Sequence, residues 1–394
     1  MGLEKFDKFL RLCWLCGACY GRGPTIPHNW REINPNPSPN SRCPSYEYFK
    51  FRTYTAMDRN SLATLVLREA YPITEDLKKV FHSCALCGVC REICGILDPL
   101  EINIAAREEF FEKSGPLNQY KDQLESLTIF DNPLNVQEEK SKWVKDLDVK
   151  NVFENQSDTL FYVGCNYSLI PSLLEKARTS ASILKLAGIN FGILGKEEKC
   201  CGIFLKIIGD SQGYIERCEE NRRLFNKLKI KRIVTMCPSC LIGLKSSLNG
   251  TGIEILHITE LINRLTNKLK IRNSARKDIV VTYHDPCDLG RKSGIYDAPR
   301  EILKKLPRVK LVEMERNREW AYCCGGGGGV ASLFPEFVDF TAGKRIEEAC
   351  NTGAEVLITS CPTCNRVLRQ SARQHKLILV KDLLEFVYEF IEKA

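Results

Sequence analysis

Ten cysteines of this chain recur in one order, in two copies. The copies are Cys165, Cys200-Cys201 and Cys237-Pro-Ser-Cys240 in the first, and Cys287, Cys323-Cys324 and Cys361-Pro-Thr-Cys364 in the second. The offsets between corresponding cysteines are 122, 123 and 124 residues. Self-similarity at a nearly constant offset indicates an internal repeat. We therefore expect two copies of one structural unit in the second part of the chain, each organised around five thiols.

The composition is that of a globular protein and leaves twenty cysteines to be explained. With 394 residues, 44% apolar and 27% charged, the chain has room for two or three domains with cores of their own. Met1–Leu10 lacks the apolar run of a secretory signal, so we expect reduced thiols that can bind metal rather than disulfides. The most apolar stretch, Ile183–Leu194, is short and contains Lys185, so we predict no transmembrane segment.

The formal charge of +8 would ordinarily suggest a nucleic-acid partner. If 18 of the cysteines bind clusters as thiolates, each cluster with its ligands carries roughly −2, on the order of −8 for four clusters. The loaded protein would then be nearly neutral, so we predict no nucleic-acid partner.

Eight further cysteines lie near the N-terminus, as two evenly spaced triplets with two detached cysteines. They are Cys13, Cys16 and Cys19, then Cys43 followed by Pro44, then Cys84, Cys87 and Cys90, and finally Cys94. A triplet with a detached fourth cysteine is typical of a cubane [4Fe-4S] cluster, whereas a structural zinc site would need two pairs. We therefore predict a helical, ferredoxin-like module with two cubane clusters in residues 1–110.

The fourth ligands are expected to cross between the two cubane clusters. In the bacterial two-cluster pattern the detached cysteine, followed by proline, binds the other cluster. The predicted sets are Cys13, Cys16, Cys19 and Cys94 for one cluster, and Cys84, Cys87, Cys90 and Cys43 for the other. The sequence departs from the pattern in two respects, because Cys43 lies far beyond Cys19 and Gly95 replaces the proline after Cys94.

Between and after these cysteines the pattern predicts helices and connecting loops. Helices are expected at Tyr54–Leu67 and Asp76–Phe81, and the proline-rich Asn34–Pro39 is interpreted as a tether, with a partner contact as the alternative. Pro116 and Pro133 prevent a long helix in the charged stretch that follows. We therefore place a linker at 111–155.

We interpret the repeated units as two α/β halves, at 156–272 and 273–394. Short apolar runs precede the ligand groups, and open parallel sheets present ligands at the carboxyl ends of their strands. Each half is therefore predicted to be a small, doubly wound, Rossmann-like sheet. The expected strands are Thr159–Gly164, Phe191–Leu194, Arg232–Met236, Asp278–Tyr283, Val309–Met314 and Glu355–Thr359.

Helices should follow these strands. One is expected to begin at Pro171 and end before Gly188, with Leu173, Leu174, Ala177, Ala181 and Leu184 on its buried face. A second should bury Ile215, Cys218, Phe225 and Leu228. Each Cys-Pro-x-Cys pair is expected to open a helix, where backbone amides stabilise thiolate charge.

Other interpretations of these motifs explain less. A thioredoxin-like Cys-Pro-x-Cys pair accounts for neither the double cysteines nor Cys165 and Cys287. Gly325–Gly329 could cradle a phosphate, but it matches no phosphate-binding fingerprint, so we interpret it as backbone that approaches a cluster and a bulky substrate. Cys218 and Cys350 have no counterpart at the repeat offset and are interpreted as packing residues.

Two polar residues near the repeated cysteines leave alternatives open. His284, three residues before Cys287, is interpreted as a satisfied core or loop histidine, with a proton-donor role as the alternative. Lys206, after the first double cysteine, could hold an anionic substrate or face solvent.

The two five-cysteine layouts behind a two-cluster module resemble the CCG cysteine-rich domain proteins, and among them the heterodisulfide reductase catalytic subunits. The resemblance implies two noncubane [4Fe-4S] clusters, each held by five thiolates. These are Cys165, Cys200, Cys201, Cys237 and Cys240, and Cys287, Cys323, Cys324, Cys361 and Cys364. It further implies that the two clusters divide a disulfide, each capturing one sulfur and delivering one electron at a time. The first copy departs from the family's glycine run, since Ile203-Phe204-Leu205-Lys206 follows Gly202.

Two functions are therefore open. In the first the chain reduces a small disulfide, such as that of coenzyme M with coenzyme B or of related thiols. A partner subunit, which is a cytochrome b, a flavoprotein or an electron-transfer flavoprotein, supplies the electrons. In the second the chain is the electron-transfer subunit of a flavin-dependent lactate- or glycolate-type dehydrogenase. The complete ligand sets favour the first. We expect a cytoplasmic protein that is attached to a membrane through a partner subunit.

Overall fold

The structure is a computed structural model that describes residues 2–13, 15–20, 43–154, 157–272, 277–375 and 378–392. The predicted tether at Asn34–Pro39 lies outside the described residues. The N-terminal region is helical as far as it is described. Its helices are α1 (Asp7–Leu10), α2 (Pro44–Phe49), α3 (Ala56–Leu67), α4 (Glu75–His82), α5 (Val89–Ile93), α6 (Pro99–Ser114) and α7 (Lys121–Phe130).

Side-chain caps set the starts of these helices. Helix α3 begins two residues later than predicted, because Arg52–Tyr54 forms a 3-10 turn and the Thr55 side chain then accepts a hydrogen bond from the Asp58 amide. Helix α4 is capped in the same way by Thr74, and α6 by Asp98. The two predicted helices are therefore present, with bounds shifted by one or two residues.

The first half contains a parallel four-stranded sheet in the order β2-β1-β3-β4. Its strands are β1 (Thr159–Tyr162), β2 (Phe191–Gly192), β3 (Arg232–Thr235) and β4 (Glu254–His257). Its helices are α8 (Cys165–Leu169), α9 (Pro171–Leu186), α10 (Ile203–Ile208), α11 (Ser211–Asn226), α12 (Pro238–Ser247) and α13 (Ile258–Leu265).

The second half repeats the arrangement, in the order β6-β5-β7-β8. Its strands are β5 (Ile279–His284), β6 (Val309–Leu311), β7 (Val356–Thr359) and β8 (Leu379–Asp382). Its helices are α14 (Asp297–Lys304), α15 (Pro335–Cys350), α16 (Pro362–His375) and α17 (Leu383–Tyr388). The predicted mixed α/β architecture with two tandem units is therefore confirmed.

Several details differ from the prediction. The last strand of each sheet, β4 and β8, was not predicted, because it follows the final ligand pair and carries no cysteine to mark it. The inward orientation of Ile215 on α11 was wrong, since this side chain is 51% exposed while Phe225 on the same helix is fully buried. Both Cys-Pro-x-Cys pairs do open helices, with proline in the first turn of α12 and α16.

The described part of the charged connection, up to residue 154, packs against the first half. Trp143 is 3% exposed and meets Phe161 edge to face, with 5.9 Å between ring centroids. Helix α6 continues to Ser114, where Gly115 adopts a positive φ of 72° and ends it. The domain boundaries remain predictions.

The two halves pack through equivalent helices. Helix α9 of the first half lies against α17 of the second, and α13 of the first lies against α14 of the second. Since α9 and α14 follow the first cysteine of their halves and α13 and α17 follow the last strands, the interface is self-complementary. No helix in the described part of the chain is both long and apolar enough to cross a membrane.

Candidate iron-sulfur site

The five thiols of the first half form one connected group. Their sulfurs make successive hydrogen-bonding contacts in the order Cys165, Cys200, Cys201, Cys240 and Cys237. All five residues are buried. Cys165 follows β1, the double cysteine follows β2, and the last pair follows β3. Because adjacent parallel strands end at one edge of the sheet, cysteines far apart in sequence converge there.

The second half brings its own five thiols together in the same order. The contacts run through Cys287, Cys323, Cys324, Cys364 and Cys361. The sulfurs of Cys364 and Cys324 are 3.3 Å apart. Four of the residues are buried and Cys287 is partly exposed. The repeat seen in the sequence is therefore also a repeat in the arrangement of the thiols.

The glycine after each double cysteine donates its amide to a sulfur. The N–H of Gly202 points to Cys200 Sγ at 3.5 Å, and the N–H of Gly325 to Cys323 Sγ at 3.3 Å. Both glycines have a positive φ, of 81° and 85°. A side chain would be strained there, so glycine allows the chain to turn and aim the amide at the sulfur.

The helix openings add further amides. The backbone N–H groups of Ser239 and Cys240 both point to the sulfur of Cys237. The hydrogen bond from the Cys240 side chain, together with these amides, lowers the pKa of the Cys237 thiol despite its burial. Cys361 receives the equivalent amide of Cys364. The predicted use of helix openings to stabilise thiolate charge agrees with this geometry.

The eight N-terminal cysteines also lie close together. Cys94 is an electrostatic neighbour of Cys13 and Cys19, and Cys43 is a neighbour of Cys84 and Cys87. These proximities are compatible with crossed fourth ligands. Cys90 has both Cys43 and Cys19 as neighbours, so the two groups adjoin and the crossed pairing stays a prediction.

The N-terminal cysteines meet the second half directly. Cys87 forms a hydrogen bond with the thiol of Cys323, which belongs to the five-thiol group of the second half. This bond, with the nearby charge of Arg291 and against the effect of burial, lowers the pKa of Cys87 to about 6. Two of the predicted cluster sites are thus in contact through their ligands.

Arg291 occupies the junction between these sites. Its Nε donates to the carbonyl of Cys87 at 2.6 Å, and its Nη1 donates to the carbonyls of Glu319 and Ala321. Its Nη2 is buried and has no hydrogen-bond partner among the described residues. The thiols of Cys87, Cys287 and Cys323 all lie in its electrostatic environment, so this cation offsets thiolate charge at the junction.

The glycine run holds the second half against the N-terminal region. A Cβ on Gly328 would lie 2.5 Å from the carbonyl oxygen of Cys84, and one on Gly327 would lie 2.9 Å from that of Ala85. The run therefore closely approaches the cysteine loop at Cys84–Ala85, and the expected approach to a cluster and a bulky substrate stays a prediction. Side chains in the glycine run would push the N-terminal cysteines away from the thiol group of the second half.

Arg107 of α6 fastens this contact. Its guanidinium is fully buried and donates to five oxygens, each within 3.0 Å. They belong to Asn103, Phe81, Cys84, Ile207 of the first half and Gly328 of the second half. Burial lowers the pKa of Arg107 to about 10, and all five N–H donors are used. One side chain thus ties the N-terminal region to both halves.

The first half meets the N-terminal region in another way. Where the second half has glycines, the first half has helix α10, which packs against α6. Gly209 ends α10 with φ 97°, and a Cβ there would lie 2.2 Å from the carbonyl oxygen of Arg107. Lys206 is partly exposed, and its Nζ lies 6.0 Å from the centre of the Tyr214 ring. The bulkier sequence of the first copy therefore builds a helix–helix contact.

The first thiol group has a buried lysine and glutamate beside it. Lys140, from the charged connection, donates to the backbone carbonyl of Glu198, and the Glu198 carboxylate accepts the amides of Val163 and Gly164. Burial raises the pKa of Glu198 to about 7, although Lys140 and the two amides oppose this shift. Lys140 also lies in the electrostatic environment of Cys165.

The two thiol groups face each other across the interface between the halves. Cys237 is an electrostatic neighbour of its counterpart Cys361. Ser239, between the cysteines of the first pair, donates a hydrogen bond to Asp288, which follows Cys287. The pseudo-symmetric packing therefore brings equivalent cysteines of both groups to one place.

The remaining sequence candidates occupy different positions. His284 ends β5, is 1% exposed and forms a group with Cys324 and Cys364. Cys350 packs against the core of the second half. Cys218 on α11 is a partly buried neighbour of Tyr214.

The donor sets fit iron-sulfur clusters. Each half gathers five thiols whose sulfurs contact one another in a buried place, with amides and cations nearby to compensate thiolate charge. Thiolates are the ligands that protein iron-sulfur clusters use, and soft sulfur donors in such numbers exceed what one zinc ion takes. The residues that would hold the clusters are therefore the cysteines of the two five-thiol groups and the eight N-terminal cysteines, Cys43 and Cys94 included.

Comparison with known proteins identifies the family. A family model described as the CCG cysteine-rich domain matches residues 159–245 and 281–369. The D-type subunit of dihydromethanophenazine:CoB–CoM heterodisulfide reductase from Methanosarcina mazei is 30% identical over 96% of this chain and 93% of its own length. The chain belongs to the family of heterodisulfide reductase D-type subunits. The corresponding protein of Methanosarcina barkeri is 32% identical over 80% of this chain and 79% of its own length.

This chain is also similar to redox proteins with other names. EtfAB:quinone oxidoreductase of Syntrophomonas wolfei is 31% identical over 59% of this chain and 34% of its own length. As a member of the heterodisulfide reductase D-type family, the chain is an iron-sulfur oxidoreductase subunit, as the sequence predicted.

Sequence reasoning missed the basic residues around the thiols. Arg107, Lys140 and Arg291 lie in stretches that read as ordinary charged helix, linker and loop. Each acts on residues that are remote in sequence, as shown by the separation of 221 residues between Arg107 and Gly328. No local pattern distinguishes such a residue from a solvated one.

Proposed function

We propose that this protein reduces a disulfide formed by two small thiols, such as coenzyme M and coenzyme B or related thiols. Two cubane clusters in the ferredoxin-like N-terminal module would receive the electrons. Cys13, Cys16, Cys19 and Cys94 would hold one, and Cys84, Cys87, Cys90 and Cys43 the other. Two noncubane clusters would lie in the Rossmann-like halves, each on one of the five-thiol groups.

The observation that carries this proposal is the facing arrangement of two complete thiol groups. The groups meet at the pseudo-symmetric interface, where Cys237 and Cys361 are neighbours. A disulfide is itself nearly symmetric about its central bond. A site with an equivalent thiol group on each side therefore suits a substrate whose two sulfurs must be separated.

The chemistry is a balanced two-electron reduction. The disulfide bond accepts two electrons and breaks, and each sulfur takes up one proton to leave as a thiol. The iron-sulfur clusters supply electrons one at a time when they are bound. The protein's own residues hold the thiol groups in place, through the amides of Gly202 and Gly325 and the helix openings after Cys237 and Cys361.

The contact between Cys87 and Cys323 supports an entry point at the second half. The glycine run and Arg107 hold the Cys84–Ala85 loop against this group. Electrons from an outside donor would therefore pass from the N-terminal module to the second group first. The donor would be a partner subunit of the cytochrome b, flavoprotein or electron-transfer flavoprotein class.

One comparison favours a second candidate function. The similarity to an EtfAB:quinone oxidoreductase suggests a protein that relays electrons without reducing a disulfide. In that case the partner would be a flavin-dependent dehydrogenase of the lactate or glycolate type, or an electron-transfer flavoprotein. The same clusters would then serve as carriers.

Thiol binding distinguishes the two functions. The anaerobically purified protein would be oxidised in the presence of a candidate thiol that carries a magnetic sulfur isotope. Disulfide reduction predicts a paramagnetic signal that the isotope broadens, together with turnover of the matching disulfide by a reduced dye. Cys218→Ser, outside the thiol groups, is the control and should retain both.

Iron content sets the baseline for this experiment. The predicted ligand sets require about 16 iron atoms per chain, four for each of four clusters. Electron transfer from a flavoprotein without a thiol-dependent signal or turnover over a panel of disulfides would establish the relay instead. About 8 iron atoms, with both five-thiol groups empty, would refute both the disulfide site and its noncubane clusters.

A further inference from the structure

A buried histidine adjoins the second thiol group and has no equivalent in the first. His284 is the last residue of β5 and pairs in register with Thr359 of β7. The hydroxyl of Thr359 donates to the His284 carbonyl at 3.3 Å. One ring nitrogen of His284 and the sulfurs of Cys324 and Cys364 all lie within 4.8 Å of one another. The ring is therefore held by the sheet beside two cluster ligands.

An arginine determines which nitrogen of this ring carries the proton. The Nε–H of Arg345 donates to His284 Nδ1 at 3.0 Å. A guanidinium has donors and no acceptor, so Nδ1 must be the unprotonated nitrogen. In the neutral ring the proton is then on Nε2. Arg345 is itself fixed, because it is fully buried and its Nη1 donates to Glu348 and to the carbonyl of Arg316, both at 2.8 Å.

The His284 side chain also forms a hydrogen bond with the Cys324 side chain. Because Nδ1 accepts from Arg345, Nε2 is the nitrogen that has a proton to donate to this sulfur. Cys324 also contacts Cys364, at 3.3 Å between sulfurs. The second group therefore receives an N–H donor whose direction is set by a buried arginine.

The first half has a tyrosine at the equivalent place. Tyr162 ends β1 and pairs with Thr235 of β3, as His284 pairs with Thr359. Its hydroxyl donates to the carbonyl of Lys199 at 2.6 Å. Because a phenol has a single proton, Tyr162 has none left for the neighbouring sulfurs. At this place the second thiol group has an N–H donor that the first lacks. The first group has a donor elsewhere, since Asn166 Nδ2 donates to Cys165 Sγ at 3.9 Å and the second half has Asp288 at that position.

We propose that His284, oriented by Arg345, donates a hydrogen bond from Nε2 to the Cys324 sulfur and thereby raises the reduction potential of the second cluster. A hydrogen bond to a ligand sulfur stabilises the added negative charge and raises the reduction potential of a cluster. His284 is a positioning and tuning residue in this role. The proposal rests on the proposed function in requiring a cluster on each five-thiol group.

The consequence concerns the order of electron transfer. The second group contacts Cys87 of the N-terminal module, so the cluster that His284 makes easier to reduce lies at the entry side. An electron that arrives from the module would be held more strongly on this cluster until a second one follows. The raised potential therefore suits a reaction in which two single electrons must be collected.

The test is a reduction potential for each cluster of the loaded protein. The two signals are first assigned with Cys201→Ser and Cys324→Ser. His284→Phe removes the donor and should lower the potential of the second cluster while that of the first is unchanged. His284→Gln keeps an N–H donor and should retain much of the potential that His284→Phe loses. Tyr162→Phe is the matched control, because its proton is directed away from sulfur, and should shift neither potential.

Two further measurements test whether Arg345 orients the ring and whether His284 is a hydrogen-bond donor or a cluster ligand. Arg345→Met frees the ring and should shift the second potential in the same direction as His284→Phe, with iron content unchanged. Histidine labelled with the heavy nitrogen isotope should show the weak coupling of a hydrogen-bonded nitrogen, whereas the strong coupling of a bound nitrogen would make His284 a ligand and overturn the proposal. No shift of the second potential in a His284→Phe protein with full iron would also overturn it. Failure of the wild type to load both groups refutes the proposed function instead.

Discussion

The two halves of this protein carry the same five cysteines on the same four-stranded sheet, but they meet the N-terminal region differently. The second half offers a glycine run, and the Cys84–Ala85 loop lies directly on it. The first half offers helix α10, which packs on α6 without a glycine run. The thiol contact through Cys87 and Cys323 lies on the second half. Duplication thus supplied two equivalent ligand sets, and the docking of the N-terminal region made them inequivalent.

Removal of one ligand from each half provides the largest test of this comparison. Cys324→Ser should abolish both disulfide turnover and the acceptance of electrons by the second group, because this group adjoins the N-terminal cysteines. Cys201→Ser should abolish turnover but leave the second group reducible. Stopped-flow absorbance with a reduced dye, beside iron analysis, measures both steps. Equal loss of electron acceptance in the two variants would contradict entry at the second half.

Each of the two predicted N-terminal clusters should be disturbed by a different variant. Cys43→Ser should disturb the cluster that includes Cys87, and so interrupt delivery to the second half. Cys94→Ser should disturb the cluster of Cys13, Cys16 and Cys19, because the fourth ligands cross. Electron paramagnetic resonance of the reduced variants should show the loss of different signals. Damage to the cluster nearest in sequence would show that the crossed pairing is wrong.

Loss of Arg107 should loosen both contacts at once. Arg107→Met leaves four carbonyls without their donor, those of the buried Phe81 and Gly328 and of the partly exposed Cys84 and Ile207. An unsatisfied buried polar group costs about 1–3 kcal/mol, so a loss of at least about 3 kcal/mol in unfolding free energy is expected. Chemical denaturation of the loaded protein measures it.

A partly exposed arginine provides the control. Arg178→Met also removes a donor to two carbonyls, those of Trp143 and Lys145, but the side chain is 28% exposed and water can replace it. This variant should lose less than about 1 kcal/mol. A similar loss in both variants would mean that Arg107 does not hold the three regions together.

A single methyl group on Gly328 should disrupt the contact between the glycine run and the Cys84 loop. A Cβ on Gly328 would lie 2.5 Å from a backbone oxygen, so Gly328→Ala should push the Cys84 loop away. Overpacking of this kind costs about 1–3 kcal/mol. Electron transfer into the second half should slow as well.

Gly353→Ala controls for backbone strain. Gly353 has a φ of 74°, similar to the 65° of Gly328, but nothing lies within 4 Å of its Cβ position. This variant should carry the strain of the positive φ, about 1 kcal/mol, without any change in electron transfer. Normal transfer rates in Gly328→Ala would refute the role of the run in docking.

The smallest expected effect is a pH dependence of stability, caused by a carboxyl group at the junction of the halves. Tyr167 of the first half donates to Asp382 of the second at 2.9 Å, and burial raises the pKa of Asp382 to about 6. A carboxyl group whose pKa is raised on folding binds its proton more tightly in the folded state. Its contribution to stability is therefore fully present below the unfolded value near 4 and is lost as pH rises past 6.

The Asp382→Asn variant isolates this effect. Between pH 5 and 7.5 the wild type should lose about 1 kcal/mol of unfolding free energy relative to the variant. Thermal or chemical denaturation of both proteins at the two pH values measures the difference. A constant difference across this range would mean that Asp382 is ionised throughout.

Much of the fold could be predicted because its elements end at cysteines. Six strands were predicted from short apolar runs before ligands, and each was found, although β2 and β6 are shorter than expected. Strands β4 and β8 were missed, since no ligand follows them. Ile215 was placed inward by periodicity alone, but tertiary packing leaves its face of α11 exposed. Periodicity shows which residues share a face and does not show what covers it.

By itself the sequence determined the ligand inventory and the duplicated unit. Thiols at fixed spacing follow strands, and parallel strands must present them at one edge, so these features are encoded locally. The tertiary structure decided which half touches Cys87, where Arg107 and Arg291 direct their donors, and that His284 and Tyr162 differ in the protons they offer to sulfur. These features depend on contacts between segments remote in sequence. Such contacts exist only when the whole chain has packed.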